Sequence, residues 1–69
     1  MSIGENIKKF RESKNLTQRL LADALGVTQS YITQLERGTK VLSIPIGQAI
    51  AKELDCTIND LMNTTTSTA

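Results

Sequence analysis

The chain contains no histidine, one cysteine (Cys56) and one proline (Pro45). Lack of histidine removes the commonest general acid–base group, and no glycine-rich phosphate loop or acidic cluster at metal-binding spacing stands in its place. No catalytic residue, metal site or cofactor is expected. A lone cysteine forms no intrachain disulfide and no thiolate metal cluster, which suits a reducing cytoplasm. Cys56 itself reads as a small buried hydrophobe. No apolar run resembles a secretory signal or reaches membrane-spanning length. The expectation is a cytoplasmic protein with no membrane partner and no evident small-molecule ligand.

What is present fits one small domain. Sixty-nine residues leave room for one modest core. The net charge is only +1, but it is unevenly spread. Residues 1–15 carry Lys8, Lys9, Arg11 and Lys14 against Glu5 and Glu12. Residues 16–40 carry Arg19, Arg37 and Lys40 against Asp23 and Glu36. Residues 41–69 carry Lys52 against Glu53, Asp55 and Asp60. A basic front and an acidic back permit contact with nucleic acid on one side without requiring it.

Apolar spacing and polar caps predict five short helices. Ser2 and Glu5 have capping-box spacing, and Ile3, Ile7 and Phe10 follow at helical intervals to about Ser13. Thr17 caps the second helix, with Leu20, Leu21, Ala22 and Leu25 as its apolar residues and Gly26 as its stop. Thr28 caps the third, which buries Ile32 and Leu35 and ends at Gly38. Ser43 caps the fourth, with Pro45 in its first turn and Ile46, Ala49, Ile50 and Leu54 as its inner stripe. Thr57 caps a last short helix containing Ile58, Leu61 and Met62. Residues 63–69 lack periodicity and read as a disordered Thr/Ser-rich tail.

The stretch Gln18 to Arg37, QRLLADALGVTQSYITQLER, carries the functional signal. Two helices crossing steeply across a tight turn need a small residue, a glycine and a β-branched residue, and Ala22, Gly26 and Ile32 supply them. An ordinary helical hairpin also meets this pattern. With Ile32 and Leu35 inward, Gln29, Ser30, Thr33 and Gln34 face outward in two adjacent rows. Uncharged hydrogen-bonding side chains in such rows suit the reading of base edges, and they also suit a merely solvated face.

The run LTQRLLADALGVTQSYITQLERG resembles the phage repressor and Cro type of helix-turn-helix domain, the xenobiotic-response-element family. The resemblance covers about residues 3–62, with the helix-turn-helix at about 17–37. It implies an all-α, compact, lambda-repressor-like five-helix bundle whose third helix lies in the major groove of double-stranded DNA. It implies base contacts from Gln29, Ser30, Thr33 and Gln34. Phosphate contacts are implied for Thr17, Gln18, Thr28, Tyr31, Arg37, Thr39 and Lys40. It also implies a structural ion pair between Arg11 and Glu36.

Two positions depart from the family pattern. Leu20 stands where relatives often carry glutamate, and Val41 and Leu42 stand where polar residues or proline are common. The expected function is sequence-specific regulation of transcription, as a repressor acting as a homodimer on a palindromic operator. Val41, Leu42, Ile58, Leu61 and Met62 are the candidates for the dimer contact. The alternative is a protein-interaction module of the same fold, an antitoxin or small inhibitor, with Leu20, Val41 and Leu42 as its docking surface.

Overall fold

Side-chain oxygens at the expected caps start the helices. In the computed structural model, which describes residues 2–62, α1 spans Ile3–Ser13, α2 Gln18–Leu25, α3 Gln29–Arg37, α4 Ile44–Glu53 and α5 Ile58–Met62. Among the described residues there is no strand. The tail expected at residues 63–69 lies outside the described residues.

Ser2 forms the full capping box: its Oγ accepts from Glu5 N–H at 3.1 Å, and its own N–H donates to Glu5 Oε1 at 2.8 Å. That backbone bond holds the Glu5 carboxyl below its ordinary pKa. Thr17, Thr28 and Ser43 accept from the N–H groups of Leu20, Tyr31 and Ile46. Thr57 and Asp60 cap α5 reciprocally, at 3.0 and 3.1 Å. Gly26 and Gly38 close α2 and α3 in the left-handed region, at φ 72° and 82°. The stops after α1 and α4 use Asn15 and Asp55 instead, at φ 60° and 59°. Short polar side chains tolerate that conformation better than most.

The core is built from every helix. Ile7, Leu21, Ile32, Ile50, Leu54 and Leu61 are fully enclosed, with Ala22, Leu35 and Ala51 almost so. Burial of this apolar surface is the main stabilising term for so short a chain. α1 packs on α3 and α5, α2 on α3 and α4, and α4 on α5.

Several sequence expectations are corrected here. Leu61, read as a dimer candidate, has no exposed surface and fills the core from α5. The inner stripe of α4 runs through Gly47, Ile50, Ala51 and Leu54, whereas Ala49 is only half-buried. Helix α4 contacts both α2 and α5, so its buried face is wider than one stripe. Cys56 is half-buried against the core rather than enclosed, and burial together with Asp60 and Asp55 pushes its thiol pKa up.

Candidate nucleic-acid interface

Helices α2 and α3 meet across the turn at residues 26–28. Ala22 and Ile32 are both buried where they meet, and the Val27 N–H donates to the Ala22 carbonyl at 3.0 Å. With Ile32 and Leu35 held inside, the other side of α3 faces solvent. Gln29 and Ser30 are exposed, and Thr33 and Gln34 are half-buried. Gln34 Nε2 lies 3.5 Å from Ser30 Oγ, a long contact along one row of the helix face.

The ion pair beneath α3 is formed. Arg11 Nε donates to Glu36 Oε2 at 2.6 Å and Arg11 Nη2 donates to Oε1 at 3.2 Å, with only 9% and 4% of the two side chains exposed. Arg11 Nη1 donates to the Leu16 carbonyl at 2.7 Å, so the guanidinium also fixes the loop before α2. The planar fork makes this possible, because it offers several donors in one fixed geometry.

Gln18 is more engaged than its sequence position suggests. Its Nε2 donates to Glu36 Oε1 at 3.0 Å, and its Oε1 accepts from the Thr33 hydroxyl at 2.8 Å. One amide N–H is left to face an anion. Thr33 is correspondingly turned partly toward the protein.

The remaining phosphate candidates flank α3. The Thr17 and Thr28 side chains are occupied as helix caps, while their positions at the starts of α2 and α3 stay exposed. Tyr31 is half-buried, and Lys40 Nζ sits 5.9 Å from its ring centroid. Arg37, Thr39 and Lys40 are exposed beyond the end of α3, with Thr39 donating to the Gln34 carbonyl at 3.2 Å.

A sequence model described as "Helix-turn-helix" matches residues 7–61. The chain belongs to this helix-turn-helix family. It is 32% identical over 62 residues to the HTH-type transcriptional regulator SinR of Bacillus licheniformis, covering 88% of this chain and 56% of that protein. It thus spans little more than half the length of that relative. It is 34% identical over 64 residues to the control protein C.BamHI of Bacillus amyloliquefaciens, covering 91% of this chain and 79% of that one. Among solved structures, the P22 c2 repressor protein in complex with a synthetic operator superposes with a TM-score of 0.86 at 26% identity, covering 94% and 98% of the two chains. The two relatives and the solved structure are themselves described as a transcriptional regulator, a control protein and a repressor.

Two contributors were missed in the sequence. Asn6 is 5% exposed, and its Nδ2 donates to the Leu61 carbonyl at 2.9 Å, tying α1 to α5. Gly4 lets α1 lie against the backbone of α3: a Cβ built there falls 2.4 Å from the Glu36 carbonyl oxygen. Neither has a local signal, since both partners lie more than thirty residues away.

Proposed function

We propose that this chain binds double-stranded DNA at specific sites, with α3 in the major groove, and represses transcription as a homodimer on a palindromic operator. The observation that carries this reading is the outer face of α3. Gln29 and Ser30 point away from a rigid core at the N-terminal end of the helix, and exposed Arg37 and Lys40 stand at the other end. Glutamine pairs with adenine N6 and N7, while lysine offers a point charge to phosphate. The P22 c2 repressor, a similar fold, was solved in complex with a synthetic operator, which supports DNA as the partner. A regulator of this kind acts in the cytoplasm of a bacterium or phage-infected cell.

Selection of bound sequences from a random duplex pool tests the reading. A palindrome with half-sites about one helical turn apart is the expected outcome. Gln29→Ala should cost about 1–3 kcal/mol on that operator and flatten the preference at one position per half-site. Lys40→Ala should weaken all duplexes alike and reduce the salt slope by about one per lost phosphate contact. If Lys40→Ala shifts base preference while Gln29→Ala changes only the salt slope, a different face of the domain meets the DNA.

A second reading rests on the apolar surface away from α3's outer face. Val41 is 91% exposed, and with Met62, Ile3 and Leu42 it borders a groove where the start of α1 and the loop between α3 and α4 meet the end of α5. Leu20 is also half-exposed on α2. In this reading the domain docks on a protein partner and contacts DNA secondarily. Absence of salt-dependent duplex binding by the pure protein would favour it.

A further inference from the structure

The ion pair continues past Glu36 into α2 and back to α3. Glu36 Oε1 takes one hydrogen bond from Arg11 and one from Gln18 Nε2, at 3.2 and 3.0 Å. A carboxylate facing an arginine only accepts, so this contact fixes which end of the Gln18 amide points at it. The amide oxygen is then turned to Thr33 Oγ1 at 2.8 Å. That oxygen also only accepts, so the Thr33 hydroxyl must donate. The other acceptor in reach of this hydroxyl is the Gln29 carbonyl, 3.1 Å away. One proton therefore faces two internal acceptors.

The bond to Gln18 has a second effect. A threonine in a helix divides between two χ1 rotamers, because its hydroxyl can bond the preceding turn from either. A partner on a neighbouring helix selects one of them. Gln18 is that partner for Thr33.

We infer that Gln18 is a specificity-positioning residue: oriented by the Arg11–Glu36 pair, it fixes Thr33 so that the hydroxyl meets the major groove as an acceptor alone. This rests on the DNA-binding reading above and adds a chemical rule to it. An acceptor-only hydroxyl favours a base with an exocyclic amine, adenine N6 or cytosine N4. It disfavours the keto oxygens of guanine O6 and thymine O4. One base pair in each half-site is thereby read by orientation, with its amine-bearing base on the strand that faces Thr33. The proton of Thr33 stays inside the protein, so the rule depends on α2 as well as on α3.

The test uses the full chain and its selected operator. At one position per half-site, the wild type should favour adenine or cytosine over guanine or thymine. Deoxynebularine in place of that adenine, or a 2-pyrimidinone deoxynucleoside in place of that cytosine, removes the amine. Either should weaken binding roughly fivefold, the scale of one neutral hydrogen bond. Thr33→Val should be indifferent to the analogue. Gln18→Leu should lose the amine preference while keeping the preference set by Gln29. In the free protein, three-bond couplings at Thr33 should report one χ1 rotamer for the wild type and averaging for Gln18→Leu. Should Gln18→Leu not fold, Gln18→Met takes its place, with the same loss of the amine preference and of the single rotamer expected. The inference is overturned if no base pair of the operator responds to Thr33→Val, or if removing the amine from the responsive pair leaves wild-type binding unchanged. It is equally overturned if a folded Gln18→Leu keeps both the amine preference and the single rotamer. A chain that selects no duplex sequence at all instead removes the DNA-binding reading.

Discussion

Glu36 accepts three hydrogen bonds from two helices, two from Arg11 on α1 and one from Gln18 on α2. Its carboxylate is 4% exposed, so it has been moved out of water and depends on these donors. Loss of one partner leaves a buried charge unmatched. Arg11→Ala or Glu36→Ala alone is expected to destabilise the fold by about 3–5 kcal/mol in urea denaturation. The double variant should cost much less than the sum. Arg11→Lys should not rescue, because an ammonium cannot serve both Glu36 and the Leu16 carbonyl from one place. Simple additivity of the two alanine changes would show that the charges act independently. By contrast, the Lys14–Asp55 pair at 3.3 Å is solvent-exposed and contributes little.

At the scale of helices, the orientation of α3 depends on how closely α1 can approach it. Gly4 sits against the Leu35 and Glu36 carbonyls, where an added Cβ would fall 2.5 and 2.4 Å from the two oxygens. Helix propensity alone favours alanine over glycine by about 1 kcal/mol. Here backbone must move, so Gly4→Ala is expected to destabilise by about 1–3 kcal/mol overall. Thermal unfolding checks the sign. Gly47→Ala is the control: its nearest obstacle is the Ile58 Cδ1 methyl at 2.8 Å, the end of a side chain that can turn aside. The contrast also marks what a sequence conveys. The caps at Ser2, Thr17, Thr28 and Ser43 and the stops at Gly26 and Gly38 were legible because each acts within four residues of its own position. The Arg11–Glu36 pair spans 25 residues and was legible only through the family resemblance. Gly4, Asn6 and the Gln18–Thr33 bond were not, since nothing near them in the chain distinguishes them from surface residues. Thr33 was read as fully outward for the same reason. Periodicity assigns a face, and it does not say which hydroxyl on that face is drawn toward the next helix.

For the molecule as a whole, the apolar groove where the start of α1 and the loop between α3 and α4 meet the end of α5 separates folding from assembly. Val41 is 91% and Met62 43% exposed, so neither is needed to close the core. Leu61, one residue before Met62, is wholly enclosed. Val41→Glu and Met62→Glu should therefore leave the unfolding midpoint near its original value and shift sedimentation toward monomer if this groove is the dimer contact. Leu61→Ala should lower stability by about 2–5 kcal/mol through cavity formation. Sedimentation velocity unchanged in both glutamate variants would move the contact elsewhere.

The position of Tyr31 has a practical consequence. The chain has no tryptophan and a single tyrosine. That one ring lies on α3, half-buried and beneath the ammonium group of Lys40. All of the protein's tyrosine emission therefore originates at the surface proposed to meet DNA. A phosphate that draws Lys40 away from the ring, or a groove wall that excludes water from it, alters the signal at its source. The native chain is its own optical reporter. Titration with duplex, at several salt concentrations, can be followed by intrinsic fluorescence without a label or an added chromophore.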